Sequence, residues 1–308
     1  MCSLQLTVIA RFMPSDSGSD SVKSDHGEGG RVGGGSAARK TTADQAPSPA
    51  QQMSQVNRVI GVMSGKGGVG KSLVAALLAV AMREAGYTVG VLDADITGPS
   101  IPKMFGLQGR LEGSEMGLLP VTTASGIRVI SLNLLLDQPD DPVIWRGPLL
   151  ANTVKQFWEQ VVWGDLDALV VDLPPGTSDV PLTVMQSLPL AGIIVVSTPQ
   201  ELAGMIVSKA IRMVGMLKVR VLGLVENMTH LVCPHCGERV DLFGHNEGPK
   251  AAQEASVPVL ASLPVDPQLS DACDRGGIES YRRNPFVDRA DVLQSLLQAA
   301  PASTEATS

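Results

Sequence analysis

The chain has 308 residues, of which 44% are hydrophobic and 3% aromatic, and it carries a net charge of −7. This acidic balance favours no broad basic face, and no apolar run approaches the ~20 residues that span a bilayer. No nucleic-acid partner and no membrane partner are therefore expected. Four cysteines are too few for a disulfide framework in a chain of this length, so a cytoplasmic protein is predicted.

Low-complexity segments mark both ends of the chain. Residues 1–55 are rich in Ser, Asp and Gly and cannot bury enough apolar area to offset chain entropy, which predicts a flexible N-terminal arm. Residues 301–308 predict a flexible tail in the same way. Residues 56–300 are expected to form a single domain, with a C-x-x-C segment at 230–237.

Within the expected domain, apolar strand-like runs alternate with helical patterns. Helices are predicted over residues 73–82, through 155–158 and over 202–217. Strands are predicted at 59–63, 88–92, 127–132, 169–171, 192–196, 219–225 and 257–263. This alternation is typical of βαβ units and predicts an α/β fold, a doubly wound and mainly parallel sheet with helices on both faces. Ligands of such sheets bind at the carboxyl ends of the strands, where the polar motifs below fall.

A glycine-rich loop of the form G-x-x-x-x-G-K-S separates the first predicted strand from the first helix. Glycines let backbone N–H groups turn onto phosphates, and the helix N-terminus adds its positive dipole. Lys71 is expected to reach the β- and γ-phosphates and the Ser72 hydroxyl to ligate Mg²⁺, so ATP and Mg²⁺ are the predicted cofactors. The predicted nucleotide-binding residues of the loop are Gly65, Lys66, Gly67, Gly68, Val69, Gly70, Lys71 and Ser72.

A second lysine makes this loop more specific. Lys66 follows the first glycine, and the loop resembles the deviant Walker A signature K-G-G-x-G-K-[ST] of dimeric P-loop ATPases. In that class, the resemblance implies, the signature lysine reaches the phosphates of the nucleotide in the partner subunit. Lys66 and Lys71 are therefore both candidate catalytic residues, and a homodimer is expected.

Acidic residues follow two more of the predicted strands. Asp93 and Asp95 close the second strand, where both can face a nucleotide–Mg²⁺ complex; Asp93 is expected to hold a metal-bound water and Asp95 to orient the attacking water. Asp172 ends strand 169–171 in the Walker B form and is expected to hold Mg²⁺. Gly176 lies in the turn that follows, and its N–H is expected to sense a γ-phosphate.

A C-P-H-C sequence places Cys233 and Cys236 close enough to share a metal or a cluster. Four interpretations stay open from the residues alone. A disulfide oxidoreductase motif would have to open a helix of a thioredoxin-like unit. A zinc site would need His230 or His245, at a spacing unlike the usual zinc fingers. The thiols could be inert and structural. In a shared iron–sulfur cluster, one pair supplies two of four ligands, so two chains must contribute a pair each.

Six segments, in order, resemble the Mrp/ApbC family of ATPases over roughly residues 56–280. The resemblance implies an ATP-binding carrier, a slow ATP hydrolase, that holds a [4Fe–4S] cluster between two subunits through Cys233 and Cys236. It implies delivery of that cluster to apo iron–sulfur proteins and contact of Asn227 with the adenine. The matching segments are residues 65–72, 93–102, 143–148 (which include Trp145, Arg146 and Gly147, of no evident physical role), 172–177, 225–228 and 233–237.

Some positions depart from the family pattern. Leu73 stands where most members have Thr, and Ser178 replaces a usual Gly in the turn after Asp172. Residues 205–207 read Met-Ile-Val where many relatives have an Asp; with Leu73, this resembles a prokaryotic branch of the family. Of the N-terminal four-cysteine motif of some relatives only Cys2 is present, so no second cluster is predicted.

Two other functions compete with cluster carriage. A partitioning or positioning ATPase would bind DNA or membrane as a nucleotide-dependent dimer. Residues 287–300, however, set Asp288 and Asp291 against Arg289 alone, unlike the basic amphipathic helix of a membrane-positioning relative. An ATPase with a structural zinc knuckle would be separated from a cluster carrier by metal analysis.

Overall fold

The computed structural model of the chain describes residues 47–95, 100–108, 111–134, 147–177, 179–200, 203–233, 235–243 and 248–299. The helices of this part are α1 (Pro49–Gln52), α2 (Lys71–Glu84), α3 (Ile101–Met104), α4 (Gly147–Gln160), α5 (Asp179–Gln186), α6 (Ala203–Met216), α7 (Gly248–Glu254), α8 (Pro267–Asp274) and α9 (Ala290–Gln298). The strands are β1 (Gln55–Val56), β2 (Val59–Ser64), β3 (Val89–Asp93), β4 (Glu112–Ser114), β5 (Gly117–Leu119), β6 (Val121–Thr122), β7 (Arg128–Ser131), β8 (Asp165–Leu166), β9 (Ala168–Asp172), β10 (Gly192–Ser197), β11 (Val221–Glu226), β12 (Leu231–Val232), β13 (Arg239–Val240) and β14 (Val259–Ser262).

Eight strands form the central sheet, in the order β14-β11-β10-β2-β9-β3-β7-β6. Neighbouring strands are parallel from β14 to β7, and β6 runs antiparallel to β7 at one edge. The chain leaves β2 near the middle and winds outward in both directions, so the predicted doubly wound α/β fold is confirmed. The register sets Asp172 of β9 opposite Asp93 of β3 on one side and opposite Val62 of β2 on the other.

Helices cover both faces of this sheet, because its strands are apolar on both sides. Ile60 and Val62 of β2 join one buried cluster, which also contains the apolar residues of α2 and α9. Val59 and Met63 of the same strand join a second cluster, with residues of α4, α5 and α6. The two cores hold the strands rigidly, so the polar residues at their carboxyl ends start from fixed positions.

The folded chain begins earlier than the sequence predicts. Ser48 caps α1 by accepting a hydrogen bond from the Gln51 N–H, and β1 pairs in parallel with β8. The prediction of an arm up to residue 55 is therefore wrong for residues 47–55, because a cap and a strand pairing between distant segments are invisible to composition. The β4–β5 hairpin and the antiparallel β6 were also not predicted from the apolar runs.

The C-terminal helix α9 packs its apolar face into the core, where Val292, Leu293 and Leu296 are buried. Across the described ranges, no helix combines the length and apolar character needed to span a bilayer. Several predicted features lie outside the described residues: the arm from 1 to 46, the tail 301–308, Cys2, Trp145, Arg146, Ser178 and His245.

Candidate functional site

The glycine-rich loop connects β2 to α2 at the carboxyl edge of the sheet. Gly68 and Gly70 adopt φ values of 78° and 83°, a left-handed conformation that L side chains rarely take. A Cβ at Gly70 would also collide with the Asn227 side chain, and a Cβ at Gly65 with Ile206 of α6. The glycines therefore let the loop turn tightly into α2 and let Asn227 and Ile206 pack closely against it.

Lys71 is the first residue of α2, and its side chain is 5% exposed. Its Nζ lies 2.5 Å from Asp172 Oδ1 and 3.2 Å from Asp95 Oδ2, and 3.4 Å from Ser72 Oγ. One buried ammonium thus bridges the acids that end β9 and follow β3. The predicted residues Lys71, Ser72, Asp95 and Asp172 do meet at one point of the sheet edge.

Asp93 lies behind this group and uses both of its carboxylate oxygens within the protein. Its Oδ1 accepts from the Asp95 N–H at 3.1 Å and its Oδ2 from the Ser131 hydroxyl at 3.0 Å. Complete burial raises the pKa of Asp93 well above its usual range, and the adjacent Asp172 adds to that rise while Lys71 opposes it. These contacts fit a residue that orients the Asp95 backbone.

Asp172 is fully buried at the end of β9. Burial raises the pKa of its carboxyl group, and Lys71 opposes the rise. Its Oδ2 is buried without a hydrogen-bond partner in the described part of the chain, although an unpaired buried oxygen is costly. Together with the Ser72 hydroxyl, this oxygen makes a set of hard oxygen donors, so the residues present fit a Mg²⁺ ion.

Two groups that are predicted to contact phosphates form hydrogen bonds with other parts of the protein in this structure. The Gly176 N–H donates to the Ser64 carbonyl at 2.8 Å, with Gly176 at φ 99°. The Lys66 ammonium donates to Gln200 Oε1, in the turn after β10. Both groups must leave these partners before they can reach a nucleotide.

A cleft of about 740 Å³ opens from the loop toward α8. Asn227 follows β11 and lies in its wall, 2% exposed. Its Nδ2 donates to the Val69 carbonyl at 2.9 Å, and its Oδ1 accepts from the Met228 N–H at 2.9 Å. The carboxamide therefore ties the glycine-rich loop to β11 and has its polar atoms occupied.

The far wall of the cleft comes from residues that the sequence reasoning missed. Pro264, Val265 and Asp266 follow β14, and Cys273 and Asp274 of α8 face the same space. Pro264 to Asp266 follow the carboxyl end of a parallel strand, as the other site residues do. The strand-end rule would have found them had it been applied to the last strand as well.

Cys233 and Cys236 lie on the loop of a short antiparallel hairpin, β12–β13. The Cys233 N–H donates to the Glu238 carbonyl, and the Gly237 N–H donates back to the Cys233 carbonyl, both at 2.9 Å. Backbone N–H groups of Cys236 and His235 lower the pKa of the partly exposed Cys233 thiol, which favours the thiolate. Thiolate is the form that binds metal, so this shift favours Cys233 as a metal ligand.

No third ligand stands beside this pair in the described residues, where no group of three or more His, Cys, Asp or Glu side chains is placed to hold a metal. His230 precedes β12, and its Nδ1 lies 2.8 Å from the Thr229 hydroxyl. Burial and Arg239 lower the pKa of His230. A metal on Cys233 and Cys236 therefore needs ligands from beyond the described part of one chain.

These features define a P-loop NTPase: a glycine-rich loop with left-handed glycines, and a buried lysine that contacts carboxylates at the carboxyl edge of a parallel sheet. The family model described as "ParA: NUBPL iron-transfer P-loop NTPase" matches residues 55–299. The chain belongs to this family of iron-transfer P-loop NTPases.

Curated relatives agree with this assignment. An iron–sulfur cluster carrier protein of Clostridium perfringens is 44% identical over 240 residues, which cover 75% of this chain and 84% of the relative. The protein of the same description from Methanocaldococcus jannaschii is 45% identical over 240 residues, covering 77% and 83%. The prediction of the family from six ordered motifs is confirmed.

Solved structures show the same fold. A nucleotide-binding protein from Archaeoglobus fulgidus, solved in complex with ADP, is 46% identical with a TM-score of 0.68 and covers 75% of this chain and 91% of its own. The cell division ATPase MinD of Pyrococcus furiosus has a TM-score of 0.56 at 20% identity, covering 78% and 98%. At that identity the second likeness concerns the fold alone.

Proposed function

We propose that this chain is an ATP-binding, slowly ATP-hydrolysing carrier of a [4Fe–4S] cluster. Two copies hold the cluster between them through Cys233 and Cys236 and pass it to apo iron–sulfur proteins in the cytoplasm. The observation that carries the proposal is the pair of free thiols on one hairpin, Cys236 exposed and Cys233 partly exposed with a lowered pKa, on the same chain as a P-loop.

The nucleotide half of the proposal rests on the residues of the carboxyl edge. ATP would lie along the 740 Å³ cleft, with its phosphates on the N–H groups of the glycine-rich loop. Ser72 and Asp172 would hold Mg²⁺, which when bound polarises the phosphate oxygens as a Lewis acid. The base would lie toward α8 in the same cleft, whose wall includes Asn227, the residue that fixes the loop.

Hydrolysis requires the buried ion pairs to rearrange. Lys71 must exchange Asp172 and Asp95 for the phosphates, and the Asp95 carboxylate then accepts a hydrogen bond from an attacking water. Asp93 keeps the Asp95 backbone in place during this exchange. Lys66 must leave Gln200 to act on the nucleotide of the second copy. Several contacts have to change at once, which supports a slow hydrolase.

The cluster is the cargo, and the number of thiols per chain sets the ratio of one cluster to two chains. A [4Fe–4S] cluster usually takes four cysteine ligands, and each chain offers two on one hairpin. Because most homodimers are related by a twofold axis, two identical hairpins can face each other across it and complete the set. The protein would then bind its cargo only as a dimer.

The test is anaerobic reconstitution of the full chain with iron and sulfide, followed by iron, labile sulfide and mass analysis. The wild type should bind about four irons per dimer. Cys233→Ser and Cys236→Ser should each lose the cluster, since each removes two of four thiolates from the dimer. Cys273→Ser, a matched cysteine substitution on α8, should retain it.

A zinc knuckle is the competing description of the same hairpin, since a C-x-x-C turn on two short strands also suits a structural zinc ion. The reconstitution separates the two. One zinc per chain with no labile sulfide would contradict cluster carriage, and the chain would then be an ATPase with a structural metal.

A further inference from the structure

The second lysine of the glycine-rich loop is held within its own chain. The Lys66 ammonium donates a hydrogen bond to Gln200 Oε1, in the turn after β10. The proposed function requires the same ammonium to act on the nucleotide of a second copy. Because it cannot occupy both places at once, Gln200 competes with the action of Lys66 across the dimer.

The register of the sheet explains why these two residues meet. β10 is a parallel neighbour of β2, and Ser64, the last residue of β2, pairs with Val196 of β10. The glycine-rich loop and the turn after β10 therefore leave the same edge of the sheet side by side. The contact between Lys66 and Gln200 thus follows from the fold, because the sheet brings both connections to one place.

The backbone on the lysine side of the contact is fixed by its neighbours. The Ser64 hydroxyl donates to the Lys66 carbonyl at 2.8 Å, and the Ser64 carbonyl accepts from the Gly176 N–H at 2.8 Å. A Cβ at Gly65 would collide with Ile206, so the loop has no room to move toward α6 at this point. Ser64 itself is 1% exposed. Buried Ser64 therefore anchors the backbone from which the Lys66 side chain extends.

The backbone on the glutamine side is also constrained, whereas the side chain is not. The Gln200 N–H donates to the Thr198 carbonyl at 2.8 Å, across Pro199, whose ring fixes its own φ. Gln200 is exposed, so water competes for its carboxamide. A hydrogen bond of this kind shifts an equilibrium by about twofold. It is weak enough to break when two copies pair, yet it lowers the fraction of chains in which Lys66 is free.

We propose that Gln200 is a positioning residue that holds Lys66 in its own chain until ATP-dependent pairing of two copies breaks the contact. This inference rests on the proposed function, in which Lys66 acts across the dimer, and it adds the residue that sets how readily Lys66 is released. Each dimer must break two such contacts, one from each copy. The effect of about twofold per chain therefore becomes about fourfold on the pairing equilibrium.

The experiment measures ATP hydrolysis per chain over a range of protein concentrations, at saturating ATP and Mg²⁺. Gln200→Ala should lower the protein concentration that gives half-maximal activity by about fourfold, since the competing contact is lost. It should leave the plateau unchanged, because the contact is already broken in the paired state. Gln253→Ala, which removes an exposed glutamine on α7, is the matched control and should behave as wild type.

Gln200→Glu changes the same contact in the opposite direction. A carboxylate would form an ion pair with Lys66 and hold it more tightly, so the half-maximal concentration should rise at least about twofold. The pair is exposed, so about 0.5 M salt should bring this variant back toward wild type measured in the same salt. Urea unfolding midpoints of both Gln200 variants should match wild type, which separates an effect on pairing from an effect on folding.

A double-mutant cycle tests whether Gln200 acts through Lys66. In the Lys66→Ala chain, Gln200→Ala should change neither hydrolysis nor the ATP-dependent dimer dissociation constant measured by sedimentation. A shift that persists without Lys66 would overturn the inference, because Gln200 would then act on pairing by another route.

Two other results would also overturn it, and they leave different parts of the account standing. If Gln200→Ala keeps or raises the half-maximal concentration while Lys66→Ala lowers hydrolysis, Lys66 acts across the dimer but Gln200 does not restrain it. If Lys66→Ala changes neither hydrolysis nor pairing, the action across the dimer and this inference fail together. In both cases the iron and sulfide reconstitution still decides independently whether the chain carries a cluster.

Discussion

The buried lysine of the P-loop offers a stability test that needs no nucleotide. Among the described residues, Lys71 is the cation within ion-pair distance of Asp172 and of Asp95. Lys71→Ala would leave these carboxylates, and Asp93 behind them, without that counter-charge. We therefore expect the variant to lose stability as well as ATP binding.

The magnitude follows from the burial of the pair. Asp172 is fully buried and its Oδ1 lies 2.5 Å from the ammonium, and removing one partner of a buried ion pair costs about 3–5 kcal/mol of unfolding free energy. In a domain of this size that lowers Tm by roughly 6–20 °C. Lys66→Ala is the matched control. The Lys66 side chain has Gln200 as its hydrogen-bond partner at an exposed position, so the expected change is within about 0.5 kcal/mol.

The loss should depend on pH in a defined direction. Burial raises the pKa of Asp93 and of Asp172, and Lys71 opposes the rise in both. A carboxyl with a raised folded pKa binds a proton that the unfolded chain has lost, so stability falls as pH rises from about 3.9 through the raised value. Without Lys71 both pKa values rise further and this window widens upward. The loss of unfolding free energy in Lys71→Ala, relative to wild type, should therefore be larger at about pH 8 than at about pH 5.

The assay is urea unfolding of nucleotide-free protein, with a chelator present, at both pH values. Adding Asp172→Asn to the Lys71→Ala chain should restore part of the stability, because it removes the charge that was left uncompensated. If Lys71→Ala unfolds with the same free energy as Lys66→Ala at both pH values, the account of the ion pair is wrong.

Three further predictions concern the nucleotide cycle. Lys66→Ala should keep ADP affinity near wild type and lower steady-state ATP hydrolysis; unchanged hydrolysis would remove its proposed action across the dimer. Asp95→Asn should lower kcat more than affinity, whereas Asp172→Asn should weaken Mg²⁺-dependent ATP binding in equilibrium titrations, and equal losses of affinity alone would contradict this division. Asn227→Ala frees the Val69 carbonyl and should weaken ADP binding about 5- to 30-fold, since one or two kcal/mol accompany a lost buried hydrogen bond. Wild-type ADP affinity in Asn227→Ala would show that the loop does not need the hydrogen bond from Asn227 to bind the nucleotide.

Much of the fold and the candidate site follows from local sequence patterns. Apolar runs that alternate with helical patterns predicted the parallel strands. The rule that ligands bind at the carboxyl ends of such strands predicted that Lys71, Asp95 and Asp172 lie in one site. The P-loop can be recognised from the sequence because its glycines are required by the backbone, which at Gly68 and Gly70 takes positive φ values that other residues rarely adopt.

Contacts between distant segments could not be predicted in this way. The use of both Asp93 oxygens depends on Ser131, and the tie of the loop to β11 depends on the orientation of the Asn227 carboxamide. The engagement of Gly176 with the Ser64 carbonyl is likewise a property of one conformation. Such partners are set by register and by side-chain rotamers, which a single sequence does not display.

Cluster delivery is the measurement that tests the carrier function most directly. Reconstituted wild type is mixed anaerobically with an apoenzyme whose activity requires a [4Fe–4S] cluster, in the presence of a chelator that captures free iron. Enzyme activity should recover in proportion to the loaded dimer added, and the Cys233→Ser protein treated identically should restore none. Recovery no greater than that of the chelated iron and sulfide control would contradict the account.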